Sequence, residues 1–374
     1  MQFKQVVGLD DIKNHLIQLV REDKVPHAQL LLSQAGAGSL PLALAFSQYL
    51  VCENPSSVDS CAVCASCVKA SKMIHPDIHY TYPVKRLDGS KSVPMSRDFA
   101  QTWRNEIIKN PYISEVEWLQ AISNDNKQGN ITRDEATHII QELNLKAFEG
   151  GYKAQIIWMA ENLAEVGNTL LKIIEEPPHK TVIILIAENQ EAILPTILSR
   201  TQIIKIPALK NEVVQRQLSA TYSLSPEIAE EYAYSANGNY RKAQQLATGE
   251  LEGFGEDLKD WLIYCMRGPS TELLKWTDKS HTKGREYLKK FFEYTVHIFR
   301  ESLTSKYTNN ELAPHISKEE GPVVQALQKY ITHNNLYYLI PRIEETAYHI
   351  ERNANAKISL LNLSIEMRKA LLNN

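Results

Sequence analysis

Residues 152–207 read YKAQIIWMAENLAEVGNTLLKIIEEPPHKTVIILIAENQEAILPTILSRTQIIKIP. The stretch holds two apolar runs, Ala154–Met159 and Thr181–Ala187. Both are short, rich in β-branched residues and bounded by polar ones, which predicts buried parallel strands. Between them, Leu170, Leu171 and Ile174 recur at helical spacing within Asn168–Glu176. Pro177-Pro178 then stops that helix. A further strand is predicted at Gln202–Ile206, directly after Leu198-Ser199-Arg200-Thr201. Strand–helix–strand is the repeating unit of an α/β sheet.

Working outward, 374 residues predict two or three domains. A hydrophobic content of 43% is ample for real cores. The net charge of −3 advertises no basic field for nucleic acid. No apolar run approaches the roughly 18 residues of a membrane span. The opening MQFKQVVGLDD lacks the apolar core of a signal peptide. A cytosolic chain is expected.

Upstream of the core unit, Asp10 is a candidate N-cap for a helix carrying Ile12, Leu16 and Leu19 on one face. Pro26-His27-Ala28 leads into a strand at Gln29–Leu32, and His27 reads as a packed or surface residue. Next come Ser33-Gln34-Ala35-Gly36-Ala37-Gly38-Ser39-Leu40 and a helix from Pro41 to about Val51. A phosphate-binding loop needs G-x-x-x-x-G-K-[ST] between strand and helix. Here Ser39 stands at the lysine position, Leu40 at the magnesium-binding hydroxyl, and Ser33 at the first glycine. Gly36, Gly38 and Ser39 remain as a vestigial loop at a helix N-terminus, where an anion would still be favoured. Binding of Mg-ATP is expected to be weak or absent, and the glycines read as kept for a tight turn.

Four of the five cysteines, Cys52, Cys61, Cys64 and Cys67, follow C-x8-C-x2-C-x2-C. Four thiolates at such spacing complete a tetrahedral Zn²⁺ site with no position left for water, a structural site. Thiols in a loop, or an iron–sulfur cluster, are the alternatives on spacing alone. His75, in His75-Pro76-Asp77, is a possible substitute ligand, and Cys265 reads as a buried, neutral thiol.

Between His79 and Lys127, seven basic and six acidic residues nearly cancel, too little for an electrostatic footprint on DNA. Phe99, Trp103 and Ile107 predict one short amphipathic helix, and Val116, Leu119 and Ile122 a second. Ile131–Leu145 predicts another, with Thr132 as N-cap and Glu135 completing a capping box. Beyond Pro207, Lys210–Leu246 reads as a few small helices. Residues 257–372 carry apolar stripes: Leu288, Phe291, Phe292, Val296 and Phe299; Leu336, Leu339, Ile343, Ala347 and Ile350; and Ile358, Leu361, Leu363, Met367 and Leu371. Such stripes are bundle core.

Taken together, Leu170-Leu171-Lys172, Glu175-Glu176-Pro177-Pro178 and Leu194-Pro195-Thr196-Ile197-Leu198-Ser199-Arg200 resemble the AAA+ clamp-loader family of bacterial DNA polymerase III. The last run is similar to that family's Ser-Arg-Cys motif, with Thr201 in place of cysteine. The resemblance covers about residues 1–250, and the remainder only by helical character. It implies an α/β P-loop AAA+ domain with a parallel sheet over 1–207, a zinc module at about 52–78 and an insertion at about 79–127. A small helical lid, 208–250, and an all-α collar, 251–374, that holds subunits in a ring would follow.

Aligned on these motifs, the acidic pair of the second nucleotide motif falls on Trp158 and Met159, which can neither hold Mg²⁺ nor accept a proton. Glu161 follows and is expected to face elsewhere, and Glu188-Asn189 departs from the family's sensor position. The resemblance therefore implies a non-hydrolysing ring member that helps load the sliding clamp onto primed DNA. Arg200 would act as an arginine finger in a neighbour's ATP site, a role worth roughly 10³–10⁵ in rate. An arginine that caps local carbonyls or pairs with a carboxylate is the competing reading. Arg241 matches the sensor-2 arginine, with a surface arginine as the alternative. The implied partners are gamma/tau-type and delta-type clamp-loader subunits, with clamp and primer–template DNA met through the complex in the bacterial cytoplasm and no membrane involved. The alternatives are a gamma/tau-type ATPase subunit of the same machine, or an AAA+-derived zinc-containing scaffold outside replication.

Overall fold

The computed structural model describes residues 1–86, 94–123, 128–149, 151–249, 254–307, 320–352 and 354–372. Asp88, Lys91, Asp125 and Lys127 of the insertion's charge count lie outside them, as do residues 250–253. The chain divides into two compact units, Met1–Pro226 with Ala236–Gln244, and Glu227–Ser235 with Gln245–Asn374. The division thus runs inside the segment 208–250.

The first unit is built on five parallel strands: β1 (Ala28–Ser33), β2 (Ile78–Thr81), β3 (Lys153–Trp158), β4 (Thr181–Ala187) and β5 (Gln202–Ile206). Their order is β2-β3-β4-β1-β5. The run at 181–187 is fully buried, as a strand covered on both faces must be. At the edge, β5 instead alternates, burying Ile204 and Ile206 and exposing Gln202 and Lys205. The sequence pattern missed β2. Its residues Ile-His-Tyr-Thr form no apolar run, and the register Ile78↔Ala154 to Thr81↔Ile157 against β3 is what makes it a strand. His79–Thr81, counted above with the insertion, therefore belongs to the sheet.

Successive strand residues serve opposite faces. Leu31, Ile156, Ile184 and Ile186 meet α1 (Asp10–Arg21) and α2 (Ser39–Leu50) on one face. Leu30, Ile157, Ile183 and Leu185 meet α6 (Arg133–Asn144) and α7 (Leu171–Glu175) on the other. Asp10 is the first residue of α1 rather than its cap. Leu9 holds the cap position at φ 62°, and Asp10 pairs with Lys13 at 3.2 Å. The helix expected over 168–176 is shorter. Ala160–Leu170 winds as 3₁₀ turns broken at Ala164 before α7 begins. Thr132 does cap α6, but the Glu135 side chain does not close the box. It is buried and accepts from the Ser96 N–H at 2.8 Å.

Both insertion helices form: α4 (Ala100–Lys109) and α5 (Glu115–Ile122). The key residue of α5 is Trp118, which is fully buried, while Val116 stays only half-buried.

After α8 (Pro195–Leu198), α9 (Asn211–Tyr222), α10 (Pro226–Ala236) and α11 (Tyr240–Ala247) in the chain, the second unit carries α12 (Phe254–Met266), α13 (Ser270–His281), α14 (Arg285–Tyr307), α15 (Gly321–Leu327), α16 (His333–Glu351) and α17 (Ala356–Leu372) around one core. The first two apolar stripes are its centre. The third needs correction: Ile358 is 65% exposed, and the face that turns inward is Leu360, Leu363, Ser364, Met367 and Leu371. Ser364 belongs there because its hydroxyl accepts from the Trp261 indole at 2.8 Å and donates to the Leu360 carbonyl at 2.7 Å. A reading of apolar residues alone passes over it. Leu360→Ala is expected to cost about 2–5 kcal/mol in urea unfolding. Ile358→Ala should stay within about 0.5 kcal/mol. Equal effects would mean that α17 presents its other face.

Candidate functional site

The carboxyl ends of β1, β3 and β4 are where a doubly wound sheet binds its ligands. From β1 the chain enters the glycine loop. The Ser33 hydroxyl donates to the Ser39 hydroxyl at 2.9 Å, so both polar side chains are spent within the loop. Leu40, at the magnesium-hydroxyl position, is buried in the core. A second segment of the same unit closes on the loop. The Tyr240 N–H donates to the Gly36 carbonyl at 3.0 Å, and the Gln34 amide to the Asn237 carbonyl at 2.9 Å. Gly36 has φ +67°, and a Cβ there would stand 1.9 Å from Asn239 Oδ1. The glycine is required by this approach and by its backbone angle.

Arg241 follows Tyr240 and is half-buried. Its Nη2 meets Glu117 Oε1 at 2.6 Å, and its Nε lies 2.9 and 3.2 Å from Oε1 and Oε2 of the same carboxylate. Burial alone would raise the Glu117 carboxyl. Hydrogen bonds from Arg241 and from Ser114 outweigh it and hold the group below the usual carboxylate range.

At the end of β3, Trp158 is buried, with its ring 5.2 Å from Trp103. Trp103 stacks on Tyr82 at 4.1 Å and meets Trp118 edge-on at 5.0 Å. Met159 is also buried, at φ 54°. Glu161 turns to the end of β4, where its Oε1 accepts from the backbone N–H groups of Glu188 and Asn189. The end of β3 thus holds a buried indole and a thioether, and the carboxylate of Glu161 is engaged by backbone.

Arg200 stands after the short helix Pro195–Leu198, on the surface. It pairs with Glu175 through Nε and donates through Nη1 to the Thr196 carbonyl at 3.0 Å and the Ser199 hydroxyl at 3.1 Å. These are the local contacts of the competing reading. They leave Nη2 with no hydrogen bond among the described residues. His27 is exposed at the entrance of β1, with its carbonyl bonded to the Ile183 N–H at 2.7 Å.

The four clustered cysteines come together as their spacing predicts, with all four sulfurs within 4.8 Å of one another. Cys52 follows α2, and Cys64 caps α3 (Ala65–Ser71), its sulfur accepting from the Cys67 N–H at 3.4 Å. Backbone N–H groups of Cys64 and Val63 lower the Cys61 thiol to about 6, while burial pushes Cys52 and Cys67 up. This donor set could hold a metal ion, and four thiolates in a compact cluster fit Zn²⁺. His75 is otherwise engaged: its Nδ1 accepts from the Asp77 N–H at 3.1 Å and its Nε2 lies 3.0 Å from Glu149. Asp77 accepts from the N–H groups of Phe148 and Glu149, so the His75-Pro76-Asp77 run is a turn that anchors that loop. Cys265 is buried, and its thiol is pushed up to about 12.

Sequence reasoning missed Glu117, Tyr112 and Asn239 as parts of this site. The pattern Ser114-x-x-Glu117 was readable as a capping box, and it forms one. Nothing in it points to Arg241, 124 residues away.

Residues 8–210 match the family described as DNA polymerase III, delta subunit. The DNA polymerase III subunit delta' of Bacillus subtilis (strain 168) is 25% identical over 236 residues, covering 63% of this chain and 58% of that protein. The subunit delta' of Pseudomonas aeruginosa is 27% identical over 175 residues, covering 46% and 41%. The chain spans about half the length of these curated relatives. Among solved structures, a DNA polymerase III gamma subunit-related protein of Thermotoga maritima covers 95% of this chain and 98% of its own, with 16% identity and a TM-score of 0.48.

Elemental analysis of the purified chain should find zinc, and Cys67→Ser should lose most of it. Chelation should also release the N-terminal segment. Asp59, within the cysteine loop, accepts from the Phe3 and Lys4 N–H groups at 3.0 Å each. Faster hydrogen exchange at those two amides after chelation is the readout. Zinc-free protein with unchanged exchange would refute the coupling.

Proposed function

This chain belongs to the family described as DNA polymerase III, delta subunit, and we propose that it serves as the delta-prime-like subunit of a bacterial clamp loader. It is a ring member that does not hydrolyse ATP. It helps place the sliding clamp on primed DNA and offers Arg200 to the ATP site of a neighbouring subunit. Its partners are gamma/tau-type and delta-type subunits, and it meets clamp and DNA through the complex. The zinc of Cys52, Cys61, Cys64 and Cys67 is structural, and residues 208–250 and 251–374 act as lid and collar.

The observation that carries the non-hydrolysing reading is Trp158. Hydrolysis needs a carboxylate at the end of this strand to organise magnesium, and another to orient the attacking water. Here a buried indole stands instead, against Trp103, which itself stacks on Tyr82 and meets Trp118. Ser39 and Leu40 remove the lysine and the magnesium hydroxyl independently. The same residues weigh against a gamma/tau-type ATPase. For the arginine finger, support comes from position. Arg200 is exposed, its Nε and Nη1 are oriented by Glu175 and Thr196, and its remaining nitrogen makes no hydrogen bond among the described residues. The second unit has its own all-helical core, which suits an oligomerisation collar.

Steady-state ATPase of the reconstituted loader, with clamp and primed DNA, tests the reading. The isolated chain should be silent. Arg200→Ala should leave assembly intact and lower turnover by roughly 10³-fold at the neighbouring site. Arg200→Lys should rescue little, because an ammonium lacks the planar fork. Undiminished turnover in Arg200→Ala would leave the subunit a scaffold only. Hydrolysis by the isolated chain would overturn the inert-site reading.

A further inference from the structure

The turn that joins α4 to α5 lies against the glycine loop and the segment that closes on it. Tyr112 is buried, and its Cε1 sits 3.3 Å from where a Cβ on Gly38 would stand. Its hydroxyl accepts from the Val7 N–H at 2.8 Å, so one side chain bridges the N-terminal segment and the loop. The same ring meets Tyr240 edge-on at 4.8 Å. Further along, Glu117 takes the Arg241 guanidinium, and Asn110 donates to the Gln244 side chain at 2.9 Å. The insertion therefore touches the loop itself and the segment that closes on it.

We propose that this turn is a built-in occupant of the former nucleotide site, with the Glu117 carboxylate standing in for the anion that Arg241 would otherwise meet. The inference deepens the inert-site reading and rests on it for the identity of the glycine loop. A guanidinium recognises carboxylate and phosphate alike, through paired N–H donors. Glu117 is fixed before Arg241 reaches it, because the N–H and the hydroxyl of Ser114 both donate to its Oε2 at 2.9 Å. A preset anion at this point satisfies Arg241 without any ligand. It also repels an incoming phosphate. The segment 236–244 is thereby held on the loop in the absence of nucleotide, and the subunit keeps one shape while its neighbours cycle.

Hydrogen exchange on the isolated full-length chain tests this without any partner subunit, so its outcome is read separately from the loader ATPase. In wild type, the amides of residues 237–243 should be protected, and millimolar pyrophosphate should change nothing. Glu117→Gln should speed their exchange by about tenfold. The amides of α16 and α17 should be unaffected, and pyrophosphate should restore the lost protection. Arg241→Gln, which removes the same pair from the other side, should loosen the same amides but gain nothing from pyrophosphate. Unchanged exchange in both variants would overturn the proposal. So would protection that pyrophosphate already increases in wild type. Loosening that pyrophosphate fails to reverse in Glu117→Gln would reduce Glu117 to an ordinary structural clamp.

Discussion

A tryptophan at the carboxyl end of a central strand has to be covered. Trp158 ends β3, where an α/β sheet normally opens toward solvent and ligand. An aromatic side chain of this kind buries about 150–250 Å². At about 25 cal/mol per Å², leaving it exposed would forgo several kcal/mol. Its ring meets Trp103 on α4, and Trp103 in turn meets Trp118 on α5 and stacks on Tyr82 just beyond β2. At this cluster the insertion is docked by hydrophobic burial, and the Trp118 indole donates to the Pro83 carbonyl at 2.8 Å. Once α4 is seated on Trp158 and α5 on Trp103, the position of the turn between them follows. That turn carries Tyr112, and the first turn of α5 carries Glu117. On the proposed reading, the tryptophan that stands in the place of a catalytic acid and the element that occupies the crevice are two sides of one packing arrangement.

What could be read in the sequence was what local pattern encodes. The buried strands β3 and β4 announce themselves as apolar runs, and β5 as a run placed after a recognisable arginine motif. The cysteines gather as their spacing requires, because each C-x2-C step brings two thiols to one side of a turn. The two insertion helices were legible from Trp103 and Ile107 and from Leu119. What could not be read depends on distant partners. The strand β2 is defined by pairing with β3, and its own residues are polar and aromatic. Ser364 lies on a core face because Trp261 needs an acceptor, 103 residues away in sequence. Arg241 looked like a sensor or a surface residue, and its partner Glu117 looked like one more charge in a nearly neutral insertion. An ion pair between such residues leaves no trace in periodicity.

The two arginines of interest are held in opposite ways, and magnitudes separate them. Arg200 and Glu175 have side chains 34% and 46% exposed. An ion pair in that setting is worth about 0–1 kcal/mol, because water competes for both charges. Arg241 and Glu117 are 17% and 16% exposed and make a forked contact, and Glu117 has a further partner in Ser114. Hydrogen bonds between charged groups of this kind are each worth about 1.5–3 kcal/mol. Breaking such a pair also strands a charge away from water. An incoming phosphoryl group could therefore draw Arg200 off Glu175 at little cost, as an arginine acting on a neighbour's substrate requires. The same group could not draw Arg241 off Glu117 without undoing the packing of Tyr112 and Tyr240 beside it. On the proposed reading this asymmetry divides the labour within the subunit, with the outward arginine free to respond and the inward one committed to holding its own fold closed.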